Sequence, residues 1–374
     1  MDMRQLQQLV RDGEADWKQH GEVKATYWEG LVLFNYTAKA TYEGRWNWFE
    51  RNARGLILDA LTGEIVARPI EKFWGWLQGG RRGSGSIREI TDKLDGSMGT
   101  LFQHRGSWRV ATRGSFTSKQ AIKATKMLPR YDMTAWLEGY TPIVEIVYPE
   151  NRIVVDYGRA EKLVLIAAKH KEDGAELWMY DGKPSLYSLA QGCGFELPRY
   201  FSSSIDRLLE LSGEIDGTQQ EGWVIRFRNG ERFKIKGDRY LELHRIVTQA
   251  SFRHVLRAVE SGGYDSWIGG VPDEFLRQVR EWREEIRQKI RIAKVEVEAN
   301  FAQSPKGTRK DFALWVKENC PELSVLMFAR LDGKDYAPTI YREMGKEKRG
   351  EGARFTRQGG PRMVIEKKPQ AQKP

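Results

Sequence analysis

Near residue 243 the hydrophobic period of this chain changes from two residues to between three and four, and that change limits what it can fold into. Before it, Trp223, Ile225 and Phe227 alternate with Val224, Arg226 and Arg228. After Asn229-Gly230, Phe233 and Ile235 alternate with Arg232, Lys234 and Lys236. This is the pattern of a half-buried hairpin. A three-residue loop at 229–231 would pair Phe227 with Phe233 and Ile225 with Ile235, so that partners share a face and Arg226, Lys234 and Lys236 collect on the other. Shorter β-like runs occupy 30–36, 55–59, 64–68, 100–104, 108–112, 143–148, 152–157 and 162–168, with helical spacing at 3–12, 118–127 and 204–212. Beyond the change, 240–260, 273–302 and 308–319 carry helical spacing; Val279, Trp282, Ile286 and Ile290 form one stripe. The expected fold is α+β: antiparallel sheets with flanking helices over 1–243, then an all-α domain over 244–341. Residues 342–374 are Gly-rich, basic and weakly apolar, the composition of a disordered tail.

Composition sets bounds. An apolar fraction of 40% over 374 residues supports a sizeable core. No apolar run reaches the ~18 residues of a membrane span. The start, Met1-Asp2-Met3-Arg4-Gln5-Leu6, is polar and lacks a secretory leader's apolar run, so a cytoplasmic location is expected. Two cysteines, Cys193 and Cys320, form neither a disulfide framework nor a C-x-x-C pair. The net charge of +10 suggests an anionic partner, but residues 342–374 hold ten Lys/Arg and four Asp/Glu, leaving only +4 for the rest. Evidence for a polyanion must therefore come from particular residues. The aromatic stretch Trp46-Asn47-Trp48-Phe49-Glu50 could stack on bases or pack into a core. The Gly/Ser/Arg loop at 79–86 could contact phosphates or be a plain connector.

Three positions stand out against the strand patterns. Lys93-Leu94-Asp95-Gly96 places a lysine at a strand end before an Asx-type turn. Glu145 interrupts Ile143-Val144-Glu145-Ile146-Val147; a buried carboxylate must be ion-paired, metal-bound or hydrogen-bonded to a ligand. Glu221-Gly222-Trp223-Val224 leads to Lys234-Ile235-Lys236. Strict alternation sets Glu221 opposite the two lysines, so either Gly222 bulges or Glu221 precedes the regular strand. A free lysine has a pKa of ~10.4, so only about one in 2000 is neutral at pH 7. Nearby cations or desolvation make it a nucleophile. Lys234 and Lys236, or a bound metal, would supply that field, hold a triphosphate and neutralise charge during phosphoryl transfer. Singly, each feature has a plain reading: a turn lysine, an edge-strand ion pair, two solvated lysines.

In this order, with Asn52-Ala53-Arg54-Gly55 upstream, they resemble the motif series of covalent nucleotidyltransferases, the ligases and capping enzymes that carry a nucleotide on a lysine. More specifically, five stretches resemble the ATP-dependent RNA ligases of the phage T4 RNA ligase 1 family: Ala53-Arg54-Gly55; Arg68-Pro69-Ile70-Glu71-Lys72-Phe73; Thr91-Asp92-Lys93-Leu94-Asp95-Gly96-Ser97; Pro149-Glu150-Asn151-Arg152-Ile153-Val154, just after Glu145; and Glu221-Gly222-Trp223-Val224 leading to Phe233-Lys234-Ile235-Lys236 and Tyr240. The resemblance spans roughly residues 30–243 and is one of architecture beyond. It implies that Lys93 takes AMP from ATP, passes it to an RNA 5′-phosphate, and that a 3′-hydroxyl then displaces it. It implies that Arg54, Lys72 and Arg113 contact the triphosphate or substrate phosphate with Tyr240 nearby, and that Lys234 and Lys236 bind the α- and leaving phosphates. Glu145 and Glu221 would serve the nucleotide or a Mg2+ or Mn2+ ion, and Asp95 and Gly96 would shape the loop. Arg113 stands where relatives can have lysine, a cation of different geometry. The partners implied are single-stranded RNA ends, a broken tRNA among them, met by a monomer. A DNA ligase or a capping guanylyltransferase would follow the last lysine motif with a small β-barrel, where this chain has helices. A catalytically silent RNA-end-binding protein would not need the intact Lys93 and carboxylates. The basic tail would add only salt-sensitive affinity, so self-adenylation should survive deletion of 342–374.

Overall fold

The computed structural model describes residues 1–347 except 45, 77, 79–82, 249–250 and 272–274. In chain order the first part comprises α1 (Met3–Arg11), β1 (Val23–Trp28), β2 (Leu31–Tyr36), α2 (Ala38–Glu43), α3 (Trp48–Asn52), β3 (Arg54–Asp59), β4 (Ile65–Ala67), β5 (Trp74–Gly75), β6 (Ile87–Lys93), β7 (Ser97–His104), β8 (Ser107–Thr112) and α4 (Lys119–Met127). Next come β9 (Tyr140–Val147), β10 (Lys162–His170), α5 (Leu186–Cys193), β11 (Tyr200–Phe201), α6 (Ile205–Ser212), β12 (Gly222–Phe227), β13 (Arg232–Lys236) and α7 (Asp238–Val247). The rest is helical: α8 (Phe252–Glu260), α9 (Tyr264–Trp267), α10 (Leu276–Gln303), α11 (Arg309–Asn319), α12 (Ser324–Leu331) and α13 (Ala337–Glu347). Two compact units result. One holds Met1–Ser251 and Gly263–Gln278, the other Phe252–Gly262 and Val279–Pro374. The period change near 243 therefore marks where strands stop; the contacts divide later, at Ser251, and the stretch Gly263–Gln278 returns to the first unit.

Three sheets build the first unit, ordered β1-β2-β3-β4, β10-β9-β7-β8 and β11-β6-β12-β13-β5. All pairings are antiparallel except β13 with β5. Leu31-Val32-Leu33-Phe34 is apolar without alternation because both faces of β2 are covered. Val32 and Phe34 pack with Leu6 and Val10 of α1, while Leu31 and Leu33 meet Phe102 and Ala111 of the second sheet. The second sheet buries Leu101, Val144 and Leu165 against α4 and α5. The third buries Ile90, Trp223, Ile225 and Phe233 against Leu208 of α6. Its other face carries Glu89, Thr91, Lys93, Arg226, Lys234 and Lys236, and there the cleft lies. Phe49 is fully buried, so the aromatic stretch contributes to the core.

Four expectations need correction. The β12–β13 hairpin pairs Ile225 with Phe233 and Trp223 with Ile235, two residues away from the expected register. Its loop is 228–230, closed by Phe227 N–H on Glu231 O at 2.9 Å, with Gly230 in the left-handed region. Face sharing survives because the shift is even. Residues 152–157 form no strand: the N–H groups of Val154 and Val155 donate to the Asp95 carboxylate and that of Asp156 to Thr218 O, leaving no ladder to form. The single helix over 240–260 is two; Thr248 closes α7 with both its N–H and its hydroxyl on His244 O. Finally, the tail does not begin at 342, because α13 runs to Glu347 with Ile340 and Met344 buried; residues 348–374, the start of the 273–302 helix, and 79–82 of the Gly/Ser/Arg loop lie outside the described residues. In the described part of that loop, Ser84 N–H donates to Glu231 and Asn229 donates to Ser84 O.

The helical unit has its own core. Val279, Ile286 and Val297 of α10 are buried, as are Phe312 and Val316 of α11 and Leu326 of α12. Phe312 contacts the rings of Phe301 and Phe328. A deletion that keeps α13 should therefore differ from one that cuts it. Removal of 348–374 should leave the thermal unfolding midpoint unchanged. A cut at 342 removes buried Met344 and should lower the midpoint by several degrees, since losing such a side chain costs about 2–5 kcal/mol. Equal midpoints would overturn this.

Candidate active site

The turn after Lys93 sets the cleft. Asp95 is buried, and its carboxylate accepts from Val154 N–H and Val155 N–H, each at 2.8 Å, and from the Tyr240 hydroxyl at 2.8 Å. The Asp95 N–H donates to the Tyr157 hydroxyl. A buried carboxylate that accepts three bonds is satisfied without a counter-charge, and here it pins the 94–96 turn to two distant segments, Val154-Val155 and α7. Gly96 is obligatory by space: a Cβ there would lie 2.6 Å from Ile146 O. Asn151 completes the turn, donating to Ile146 O and accepting from the Ser97 hydroxyl.

Lys93 Nζ, at the end of β6, lies 2.9 Å from Glu221 Oε2, and Lys236 Nζ lies 2.9 Å from Glu221 Oε1. Glu221 stands just before β12, so the parity conflict is resolved without a bulge. Gly222 makes this possible with φ +145°, and a Cβ there would strike Ile235 O. Burial pushes the Glu221 carboxyl up, but Lys93 and Lys236 outweigh it and hold it below the usual carboxylate value. Glu145, on β9 beside Gly96, differs: burial dominates, Lys93 offsets it only in part, and its carboxyl is pushed up to about 7.

Two cavities meet at Lys93. The first, about 320 Å³, is lined by Arg54, Lys72, Lys93, Arg113, Lys234 and Lys236, with no acidic side chain among the described residues of its wall. Six cations gathered along one wall favour the binding of an anion there. Arg113 donates to the Tyr36 hydroxyl at 2.8 Å. Lys72, buried, sits over the rings of Tyr36 and Trp46. One Arg54 nitrogen is buried without a hydrogen-bond partner among the described residues, which suits an incoming anion. The second cavity, about 230 Å³, shares Arg54, Phe73 and Lys93 with the first but is more apolar, adding Ile70, Met98, Ile166, Met179 and Val224 to Glu145.

The expected residues thus fall into groups. Arg54, Lys72, Lys93, Arg113, Lys234 and Lys236 line the first cavity. Glu145 and Gly96 line the second. Asp95 and Tyr240 line neither and sit behind the loop. Glu221, expected to share a metal with Glu145, has each oxygen on an ammonium. Among the described residues no group of three or more His, Cys, Asp and Glu is placed to hold a metal ion.

Several contributors went unnoticed in the sequence. Behind the second cavity runs a buried charge chain. Lys169 meets Glu71 at 2.5 Å and Glu176 at 3.7 Å, Glu176 meets Arg232 at 2.6 Å, and Arg226 meets Glu89 at 3.3 Å. Burial would raise the Glu176 carboxyl, but Arg232, Lys169 and Arg226 hold it at about 2. Arg226 also donates to Leu177 O and lies over the Trp178 ring at 3.8 Å, fixing the wall that carries Met179. The available signal was Glu89 and Arg226 on the same strand face as Lys93. Tyr157 gave none, sitting in a stretch that reads as a strand.

The α+β cleft thus sets one lysine between a cation-lined and a partly apolar cavity. Residues 52–240, half of the chain, match the RNA ligase family, and the chain belongs to it. It is similar to a putative RNA ligase of Thermovibrio ammonificans, 28% identical over 232 residues that make up 58% of each protein. It is also similar to a putative bifunctional polynucleotide kinase/RNA ligase of Autographa californica nuclear polyhedrosis virus, 22% identical over 280 residues, 65% of this chain and 39% of that one. An RNA ligase of Rhodothermus phage RM378 is 24% identical over 302 residues, 66% of this chain and 67% of that one. The chain spans about half the length of the first two of these relatives. Among solved structures, a Naegleria gruberi RNA ligase with pyrophosphate aligns at 18% identity over 43% of this chain and 52% of that one, with a TM-score of 0.36.

The raised Glu145 carboxyl has a stability consequence with a definite sign. The folded state keeps its proton up to about 7, whereas the unfolded chain loses it near 4.5. Between those values the native state binds more protons, so this group's contribution to stability falls as pH rises and is least favourable above 7. Glu145→Gln should therefore unfold at a higher temperature than wild type at pH 8, with the gap closing below pH 4.5. A gap that is constant with pH would refute the assignment.

Proposed function

We propose that this protein is an ATP-dependent RNA ligase acting through a lysyl-AMP intermediate. The observation that carries this is the position of Lys93 Nζ on the rim shared by the six-cation cavity and the partly apolar one. A nucleoside triphosphate has the matching shape: a flat base for the second cavity, a polyanion for the first, and an α-phosphorus between them. Neutral Lys93 attacks that phosphorus, the bond to the β-phosphate oxygen breaks, pyrophosphate leaves into the cationic cavity, and the displaced ammonium proton passes to solvent. An RNA 5′-phosphate oxygen then takes the AMP from Lys93. The 3′-hydroxyl of the other end attacks the 5′-phosphorus and AMP departs, leaving a phosphodiester.

Lys234 and Lys236 neutralise the charge that develops on the phosphates, as Arg54, Lys72 and Arg113 do further along the chain of phosphates. Asp95 and Gly96 act by holding Lys93 in place, and Tyr240 acts through Asp95. Mg2+ or Mn2+ suits the site with Glu145 as its carboxylate, because such ions are commonly held by one or two carboxylates and phosphate oxygens; the ion would supply charge neutralisation at the α-phosphate. Glu221 is the counter-ion that keeps two lysines side by side. In this reading the first unit performs the nucleotide chemistry and the helical unit takes single-stranded RNA ends, a broken tRNA being one such substrate. This reading has the protein act as a monomer. Two free, buried cysteines support work in a reducing cytoplasm.

Purified protein incubated with α-labelled ATP and a divalent cation should retain label after denaturation. Lys93→Ala should retain none, and GTP should label poorly. Label from GTP alone would move the assignment to a capping enzyme. Folded wild-type protein, shown to start free of AMP, that takes no label from either nucleotide would refute the ligase reading.

A further inference from the structure

The family match ends at residue 240, but the cleft does not. His244, Ile268, Gly269 and Val271 complete the wall of the cationic cavity, and none of them lines the second cavity. His244 belongs to α7, and the other three to the stretch that returns to the first unit after α8. That stretch docks closely on α2: a Cβ built on Gly269 would lie 3.0 Å from the Ala38 Cβ.

A second line of contact leads from the same stretch to the nucleophile. The Phe275 ring lies 6.0 Å from that of His244, and His244 lies 5.3 Å from Tyr240. The Tyr240 hydroxyl donates to Asp95, whose carboxylate fixes the turn after Lys93. His244 and Tyr240 are both buried. Each link is a packing contact or a satisfied hydrogen bond, so a shift of Phe275 has no solvent gap in which to dissipate.

We infer that the nucleotide site extends to this returning stretch: Ile268, Gly269 and Val271 wall the polyphosphate cavity, and His244 is a positioning residue that ties their docking to the Lys93 loop. The inference rests on the reading of the cationic cavity as a polyphosphate site. Physically, an apolar wall on that side excludes water and strengthens each cation–phosphate attraction. The aromatic chain sets the Lys93 turn to a precision that matters, because a misplacement of about 1 Å at a reacting group can cost a hundredfold in rate.

The test uses the full chain as wild type, His244→Ala, His244→Phe and Gly269→Val. Two quantities are measured: the ATP concentration at half-maximal thermal stabilisation, and the single-turnover rate of label transfer at saturating ATP. Gly269→Val, which pushes the stretch off α2, should raise the ATP midpoint about tenfold, the signature of lost ground-state binding. His244→Ala should lower the saturated rate about tenfold, and His244→Phe, which keeps the ring contacts, should restore most of it. A wild-type midpoint for Gly269→Val overturns the wall. A wild-type rate for His244→Ala, or a loss that His244→Phe does not restore, overturns the positioning role. If His244→Ala does not fold, the His244→Phe rate and the Gly269→Val midpoint decide: a His244→Phe rate far below wild type counts against positioning through ring contacts. Wild-type protein that binds ATP but takes no label defeats the ligase reading instead, and the Gly269→Val midpoint still decides the wall.

Discussion

The cleft depends on one buried carboxylate. Glu221 holds the ammonium groups of Lys93 and Lys236 at 2.9 Å each, on two strands of one sheet that flank β12. Two ammonium groups this close would otherwise repel, and in a poorly solvated place the repulsion is large. Breaking a buried pair leaves an uncompensated charge at a cost of about 3–5 kcal/mol, so Glu221 holds both lysines in place. It also sets a chemical condition. A lysine whose ammonium donates to Glu221 has its lone pair taken up by a proton, so it could attack an electrophile only once that hold is loosened.

Asp95 has the complementary task. Where Glu221 is held by charge, Asp95 is held by geometry: two backbone N–H groups and a tyrosine hydroxyl, all buried. The turn after Lys93 is thus fastened to the 154–155 segment and to α7, while Gly96 lets it lie directly on β9. Sheets two and three need no mutual ladder. They are joined by this turn and by the charge chain from Lys169 to Glu89, whose Glu89, Arg226 and Arg232 line the second cavity.

A force that acts locally leaves its mark in the sequence, and one that acts over distance does not. Alternation revealed most strands, because burial of one face is written into every second residue, and the even register slip of the hairpin left its faces unchanged. The register itself turned on a loop conformation set by Gly230 and by the Phe227–Glu231 bond, which pattern cannot show. Residues 152–157 read as a strand because Ile153, Val154 and Val155 are β-formers, yet the N–H groups of the two valines serve a carboxylate some sixty positions away. α13 was read as tail because its composition is polar, although Ile340 and Met344 suffice to bury one stripe. Lys234 and Lys236 were legible from the alternation of their strand, whereas Arg54, Lys72 and Arg113 came only from the resemblance in motif order; Tyr157 and Lys169 left no mark, since their partners come from distant segments.

Glu145 and Glu221 show how one cleft separates two like groups. Both are carboxylates, both lie deep in the cleft, and the charge on Glu221 raises the pKa of Glu145. The difference lies in contacts. Glu221 touches two ammonium groups and stays ionised below the usual range; Glu145 feels Lys93 and Arg54 without an ion pair strong enough to offset burial, and balances near neutrality. When two titratable groups are driven apart in this way, they are suited to different tasks. Glu221 is a fixed charge, and its value lies in not changing. Glu145 can gain or lose its charge as its surroundings change: a cation brought beside it favours the carboxylate, and added negative charge favours the acid.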